Sequence, residues 1–218
     1  MSKIAAIFGA TGLVGSNLLN LLRDNPDYIK MLVFNRKSQL YKHDKIEEIL
    51  VDWKDSEMIK NQLIADEIFC CVGTTIKKAG SKKAFREVDL DIPVKLAKIA
   101  ENNKVKKLLI VSSVGADAKS KNFYLQTKGI MEEEVLKHNV PNIHFFRPSM
   151  LLGKRNEFRA GEEAGKLFMR LLNPLMFGTL KKYKAIPASV VAKAMINVAK
   201  NTDAKIIYNS DELWELAE

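Results

Sequence analysis

The chain has 218 residues, of which 47% are hydrophobic and 28% charged, and its apolar runs are far too short to cross a membrane. This composition excludes a disordered or collagen-like chain, and we expect one soluble domain over residues 1–218. The formal net charge of +9 occurs as short groups of lysines without regularly interleaved aromatic residues, which favours solvated helix ends and loops over a nucleic-acid surface.

Short β-branched or apolar runs alternate with amphipathic stretches along the chain. The predicted strands are residues 4–8, 31–35, 46–51, 67–72, 107–112, 143–146 and 205–208, and the predicted helices are residues 14–23, 56–65, 82–102, 124–137 and 189–200. Strands that alternate with helices imply right-handed crossovers, so the sequence predicts an α/β fold with a doubly wound parallel sheet. Residues 154–184 break this alternation and are predicted to form an irregular insertion on the substrate side of the sheet.

The first predicted strand runs directly into the motif Gly9-Ala10-Thr11-Gly12-Leu13-Val14-Gly15, which opens the first predicted helix. In such a motif the first glycine permits a tight turn, the second lets the backbone approach a phosphate, and the third lets the helix pack closely on the strand. The N–H groups at the start of the helix then face the pyrophosphate, and the helix dipole favours the anion. We therefore predict a dinucleotide site that begins with Gly9, Thr11, Gly12, Leu13, Val14 and Gly15.

The end of the second predicted strand indicates which dinucleotide binds. An NAD site usually has an acidic residue there for the ribose hydroxyls, but this chain has Asn35, Arg36 and Lys37. The Arg36 guanidinium can donate two hydrogen bonds to a 2′-phosphate, and Lys37 adds a second positive charge. The predicted cofactor is therefore NADP(H). The alternative is a basic loop that leaves the strand without a ligand.

Two further strand ends are expected at the same edge of the sheet. Asp52 follows the third predicted strand, where its carboxylate can accept a hydrogen bond from the adenine amino group. After the fourth predicted strand, backbone and hydroxyl groups would line the cofactor at Val72, Gly73 and Thr74. Both segments therefore belong to the predicted cofactor site.

The two cysteines, Cys70 and Cys71, are adjacent and lie in an apolar run. Adjacent cysteines cannot join distant elements, so we expect buried strand thiols in a reducing compartment and a cytoplasmic protein. The three histidines lie on different elements and do not have metal-ligand spacing, so no metal site is predicted.

A second group of polar residues follows the fifth predicted strand. Ser112 and Ser113 end that strand, while Tyr124 and Lys128 are four residues apart on one face of the next helix. A protonated lysine beside a phenol favours the phenolate, and a tyrosine tuned in this way can exchange a proton with a carbonyl oxygen near neutral pH. Such tyrosine–lysine pairs are also common on surface helices, so the prediction of chemistry depends on the neighbouring dinucleotide turn and serines.

These motifs together resemble the short-chain dehydrogenase/reductase superfamily in its atypical, extended-like branch, and within it the Tat-interacting-protein-type oxidoreductases. The resemblance covers roughly residues 3–200 and rests on five ordered segments, at residues 9–12, 70–75, 112–117, 124–129 and 146–148. It implies a Rossmann fold and an NADP(H)-dependent transfer of hydride between the nicotinamide and a small carbonyl or alcohol substrate.

The resemblance also implies roles for individual residues. Tyr124 matches the catalytic tyrosine, Lys128 the catalytic lysine that also holds the nicotinamide ribose, and Ser113 the serine that polarises the substrate. Ser112, which would otherwise contact the cofactor, is the alternative for the serine role. Arg147 and Leu151 match the segment that passes beside the nicotinamide. Arg159 matches an arginine that reaches the cofactor.

One position departs from the superfamily pattern. Asp89 stands where many members have an asparagine that anchors a water of the proton relay, so a conventional relay does not follow. The alternative function is therefore a catalytically weak, redox-sensing NADPH-binding protein that acts through a protein partner. A homodimer is the other partner that we consider, and the small-molecule substrate is not identified by the sequence.

Overall fold

The predicted alternation of strands and helices is found in a computed structural model, which describes residues 2–53, 55–153, 182–201 and 205–218. The strands are β1 (Lys3–Phe8), β2 (Tyr28–Asn35), β3 (Ile46–Leu50), β4 (Glu67–Cys70), β5 (Lys107–Val111), β6 (Asn142–Arg147), β7 (Leu151–Leu152), β8 (Ile186–Pro187) and β9 (Ile207–Asn209). The helices are α1 (Leu13–Arg23), α2 (Ser56–Gln62), α3 (Ile76–Ala79), α4 (Lys82–Arg86), α5 (Ile92–Asn102), α6 (Phe123–Val135), α7 (Ala188–Lys200) and α8 (Ser210–Glu215). A π-helical turn, Glu87–Asp91, joins α4 to α5.

Within these described ranges, seven strands form one parallel sheet in the order β3-β2-β1-β4-β5-β6-β9. The chain proceeds outward from β1 in one direction as far as β3, and from β4 in the other direction as far as β9. The sheet is therefore doubly wound, as predicted, and its switch point lies between β1 and β4. Ligands of open α/β sheets bind outside the carboxyl ends of the strands at such a point.

Both faces of the sheet are covered by helices, which explains why its strands read as continuous apolar runs. Successive side chains of β1 point to opposite faces: Ala5 and Ile7 lie in the core that also contains α1 and α7, and Ala6 and Phe8 lie in the core that contains α2, α5 and α6. Within the described ranges, no helix has the length and apolarity that a membrane span requires.

The predicted helix over residues 82–102 is interrupted by the π-helical turn. In a regular α-helix the Pro93 nitrogen would face the carbonyl of Asp89, but proline has no N–H to donate and its ring clashes with that carbonyl. The widened turn removes this conflict just before α5 begins. It also leaves the Asp89 side chain in the interior, where the residue is only 1% exposed.

The Cys70 thiol is buried in β4, as predicted, and Cys71 follows the strand directly; both cysteines are free. Burial raises the pKa of the Cys70 thiol to about 11. Since the thiolate is the reactive form, this cysteine is inert at neutral pH.

Candidate active site

The glycine turn after β1 is packed too tightly for side chains. Gly9 has φ of +84°, and a Cβ atom there would lie 2.7 Å from the carbonyl carbon of Cys71. A Cβ atom on Gly15 would lie 2.1 Å from the carbonyl oxygen of Gly9. These contacts confirm the predicted tight turn at Gly9 and the close helix packing at Gly15, and they place the turn beside the end of β4.

The amino terminus of α1 is suited to an anion. Gly12 is its N-cap residue and provides no capping side chain, and the first turn contains no acidic residue. The first N–H groups of a helix have no intrahelical acceptor, and the helix dipole adds positive potential at the same place. The predicted pyrophosphate-binding backbone at Leu13 and Val14 therefore fits a dinucleotide.

The loop after β2 exposes Arg36 and Lys37, as a 2′-phosphate site requires. A carboxylate nevertheless lies close by, because β3 pairs with β2 and brings Glu48 next to Asn35. The Glu48 carboxylate accepts hydrogen bonds from Asn35 Nδ2 at 2.8 Å, Ser38 Oγ at 2.7 Å and the backbone N–H of Gln39 at 2.8 Å. Partial burial opposes ionisation of Glu48, but these donors outweigh it and lower its pKa.

Glu48 thus holds the loop that carries the two basic residues. Residues 35–37 at the strand end include no acidic side chain, but the Glu48 carboxylate lies beside them. Sequence reasoning missed Glu48 because only the pairing of two parallel strands brings it to this loop, and no local motif signals that contact.

The segment after β4 lies against the π-helical turn. The backbone N–H of Thr74 donates to Asp89 Oδ2 at 2.8 Å, and a Cβ atom on Gly73 would be 3.4 Å from Asp89 Oδ1. Asp52, after β3, is exposed. The predicted segment of residues 72–74 is thus fixed in place by a carboxylate for which the sequence indicated no partner.

The predicted tyrosine lies at the start of α6. Asn122 caps this helix by accepting hydrogen bonds from the backbone N–H groups of Tyr124 and Leu125, at 3.0 and 3.2 Å. The Tyr124 ring is half-buried, with its centroid 5.6 Å from that of Phe85 on α4. Among the residues that the structure describes, none forms a hydrogen bond with the Tyr124 hydroxyl.

A close contact brings α6 to the loop that carries the serines. A Cβ atom on Gly129 would lie 2.1 Å from the backbone nitrogen of Ala118, so only glycine permits this approach. The loop of residues 112–122 consequently lies directly on the helix that carries Tyr124 and Lys128.

Lys128 forms a buried ion pair that the sequence did not predict. Its Nζ atom is 2.8 Å from Asp89 Oδ1, and the two residues are 3% and 1% exposed. Burial disfavours the charged ammonium, but the Asp89 carboxylate, assisted by the Tyr124 oxygen, outweighs burial and raises the pKa of Lys128. Lys128 is therefore protonated at neutral pH, as the predicted role requires.

The two candidate serines have different partners. Ser112 Oγ donates to Glu132 Oε1 at 2.5 Å, and Arg147 donates to both oxygens of the same carboxylate, with Nε 3.0 Å from Oε1. Ser113 Oγ makes only a weak contact of 3.4 Å with the Val114 carbonyl within the described part of the chain. The arrangement favours Ser113 over Ser112 as the hydroxyl that meets a substrate.

Arg147, a predicted cofactor residue, has its guanidinium bound to Glu132, so its contact with a cofactor stays a prediction. The next segment does reach the glycine turn: a Cβ atom on Gly153 would be 2.9 Å from Leu13 Cδ2, and Leu151 packs against the same core as α1. Arg159 and residues 154–181 of the predicted insertion lie outside the described residues.

Known proteins share both sequence and fold with this chain. A family model described as HIM1 matches residues 30–177. The protein named FMP52, mitochondrial, from Candida albicans is 31% identical over 224 residues, which cover 97% of this chain and 96% of the relative. Protein HTATIP2 from Rattus norvegicus is 31% identical over 204 residues, covering 90% and 81%.

Solved structures agree on the fold. The Bordetella bronchiseptica enzyme WbmH, in complex with NAD⁺, has a TM-score of 0.71 at 14% identity over 95% of this chain and 75% of its own. A UDP-N-acetylglucosamine 4-epimerase from Methanobrevibacter ruminantium has a TM-score of 0.71 at 17% identity, covering 98% and 80%. The predicted Rossmann fold is confirmed.

The prediction of a cytoplasmic location is wrong. Relatives from Candida albicans, Meyerozyma guilliermondii and Scheffersomyces stipitis are named as mitochondrial proteins. The prediction relied on free thiols as a sign of a reducing compartment. A buried thiol such as that of Cys70 is protected by its surroundings, so it does not identify a compartment.

Proposed function

The chain belongs to the HIM1 family, in agreement with the predicted resemblance, and we propose that it is an NADP(H)-dependent oxidoreductase acting on a small carbonyl or alcohol substrate. One continuous set of contacts carries this proposal. Gly9 packs on Cys71 after β4, the Thr74 amide donates to Asp89, and Asp89 pairs with Lys128 on α6. The dinucleotide turn and the Tyr124 helix are thereby held at one edge of the sheet, at its switch point.

The residues of this edge fit the parts of NADP(H). The N–H groups at Leu13 and Val14 would hold the pyrophosphate, and Arg36 and Lys37 the 2′-phosphate. The adenine and the nicotinamide half would lie along the segments that follow β3, β4 and β6, at Asp52, Val72, Gly73, Thr74, Lys128 and Leu151. When bound, the nicotinamide supplies the hydride for reduction or accepts it in the reverse reaction.

The side chains of α6 and the adjoining loop handle the proton. Tyr124 donates its hydroxyl proton to the carbonyl oxygen as hydride reaches the carbonyl carbon, which yields the alcohol and a tyrosinate that water reprotonates. Ser113 donates a hydrogen bond to the same oxygen and stabilises the negative charge that develops there. Lys128, held protonated by Asp89, would orient the ribose of the bound cofactor.

The assignment is tested by following NADPH absorbance across a panel of aldehydes, ketones and quinones. Turnover of any member that is lost in Tyr124→Phe supports the reductase. The alternative is a redox-sensing protein that binds NADPH and acts through a partner, and it is favoured by the engagement of Lys128 with Asp89. Tight NADPH binding without turnover anywhere in the panel would favour that alternative.

Cofactor preference is the first prediction. NADPH should bind about tenfold or more tightly than NADH, because a charge-assisted contact with the 2′-phosphate contributes about 1.5–3 kcal/mol. Arg36→Ala should lose most of this preference while its affinity for NADH stays near that of the parent. Fluorescence titration with both cofactors measures the effect, and Arg23→Ala, at a partly exposed position at the end of α1, is the control. Equal affinities in the unmodified protein would contradict the assignment.

The serines provide a second prediction. Ser113→Ala should slow turnover by about tenfold to a hundredfold, since it removes one donor to the developing oxyanion, and should leave stability nearly unchanged. Ser112→Ala should do the reverse: it removes a donor from the buried Glu132 carboxylate and lowers the free energy of unfolding by about 1–3 kcal/mol. Steady-state rates and urea denaturation of both variants measure the two effects. Slower turnover in Ser112→Ala together with lower stability in Ser113→Ala would exclude Ser113 as the serine that meets the substrate.

A further inference from the structure

Asp89 connects three parts of the site: its own turn, α6 and the segment after β4. It projects from the π-helical turn, one oxygen lies 2.8 Å from Lys128 Nζ on α6, and the other accepts the Thr74 N–H of the segment after β4 at 2.8 Å. Wide turns of this kind occur often at functional sites, because they re-aim a side chain that a regular helix would direct elsewhere. Here the turn directs a carboxylate at the lysine of the proposed proton-handling pair.

The ion pair is almost completely removed from water. The side chains of Lys128 and Asp89 are 4% and 1% exposed, so each charge depends on the other for compensation. A buried ammonium paired with a carboxylate at this distance has little net charge as seen from a neighbouring group. Tyr124, one helical turn before Lys128, therefore faces an almost neutral pair rather than an isolated cation.

We propose that Asp89 is the positioning residue of this site: it fixes the Lys128 ammonium and the Thr74 amide in place, and it cancels most of the positive charge that Lys128 presents to Tyr124. This inference rests on the proposed role of Tyr124 in the oxidoreductase. It departs from the mechanism expected of a tyrosine–lysine pair, in which an uncompensated ammonium favours the phenolate.

The other titratable and charged groups around the pair do not take over this function. Cys70 on β4 faces Lys128, but burial raises the pKa of its thiol to about 11, so it is neutral. Glu132, one turn after Lys128, is bound by Arg147. On α4, the Lys82 ammonium lies 5.0 Å from the centroid of the Phe123 ring, next to Tyr124, and adds positive charge. Asp89 is thus the acidic group that opposes Lys128.

The test is the ionisation of Tyr124 in the cofactor-free protein, read from the ultraviolet absorbance of phenolate after subtraction of the Tyr124→Phe titration. Asp89→Asn keeps an acceptor for Thr74 but removes the negative charge, so Tyr124 should ionise at a pH lower by about one unit or more. The matched control is Asp91→Asn, the same substitution at an exposed position of the same turn, which should titrate like the parent.

A second variant keeps the inference testable if Asp89→Asn does not fold. Lys128→Gln leaves the carboxylate facing the phenol without its counterion, so Tyr124 should ionise at a higher pH than in the parent. The double variant Asp89→Asn/Lys128→Gln presents no net charge and should return the titration close to that of the parent. Unchanged titration in Asp89→Asn, or in Lys128→Gln if that alone folds, would overturn the inference.

Kinetics then separates this inference from the proposed function. If a substrate turns over, the limb of the pH–rate profile that requires Tyr124 should move to lower pH in Asp89→Asn, by the same amount as the spectroscopic titration. Turnover that depends on Tyr124, without a shift in Asp89→Asn, would overturn the role of Asp89 alone. A shift of the phenol titration without turnover of any substrate would overturn the oxidoreductase and leave the electrostatic role of Asp89 intact.

Discussion

Replacement of Tyr124 by phenylalanine is expected to reduce turnover about a hundredfold or more and to leave NADPH affinity nearly unchanged. The substitution removes the proton donor but keeps the ring, whose centroid lies 5.6 Å from that of Phe85. The packing at the start of α6 should therefore survive, and the loss should appear in the chemical step rather than in cofactor binding.

The measurement is single-turnover oxidation of bound NADPH with a substrate identified in the panel, beside a fluorescence titration of NADPH. Tyr208→Phe is the control, because this residue stacks on Phe146 in the sheet and lies at the edge strand β9. The Tyr208→Phe variant should oxidise NADPH as fast as the parent. A Tyr124→Phe variant as fast as the parent would show that another group supplies the proton.

The second large effect is expected in stability. Arg147→Leu removes the counterion of Glu132 and the two hydrogen bonds that Arg147 donates to it, and the Glu132 side chain is only 5% exposed. Loss of one partner from a buried ion pair usually costs about 3–5 kcal/mol of the free energy of unfolding, because the remaining charge is left without compensation. Urea denaturation of the variant and the parent measures this difference directly.

Two comparisons show whether the buried pair is the cause. Lys137→Ala breaks an exposed ion pair with Glu134 near the end of α6, the helix that carries Glu132. It should lower the free energy of unfolding by no more than about 1 kcal/mol. The double variant Glu132→Leu/Arg147→Leu should recover most of the stability, since no buried charge remains. If Arg147→Leu were no less stable than Lys137→Ala, the Glu132 carboxylate would not depend on Arg147.

The fold and the glycine turn after β1 could be predicted because their signals are local. Alternating apolar runs and amphipathic stretches are properties of adjacent residues, and they predicted all seven strands of the main sheet within a few residues. The roles of Gly9 and Gly15 follow from turn and packing rules that operate within one strand–turn–helix unit. The placement of Tyr124 and Lys128 on one helix could also be predicted locally, because the two residues are four positions apart.

Other features were decided only by the tertiary structure. The sequence placed Ser113 ahead of Ser112 as the serine that meets a substrate, and only the structure shows that Ser112 is bound to Glu132 on α6. Arg147 reaches that carboxylate from β6, Glu48 reaches the loop after β2 from β3, and Asp89 reaches Lys128 from the π-helical turn. Each contact joins polar groups on different elements. A buried charge requires compensation, but its sequence position does not specify the partner; the packing of the elements around the sheet determines which opposite charge lies within reach.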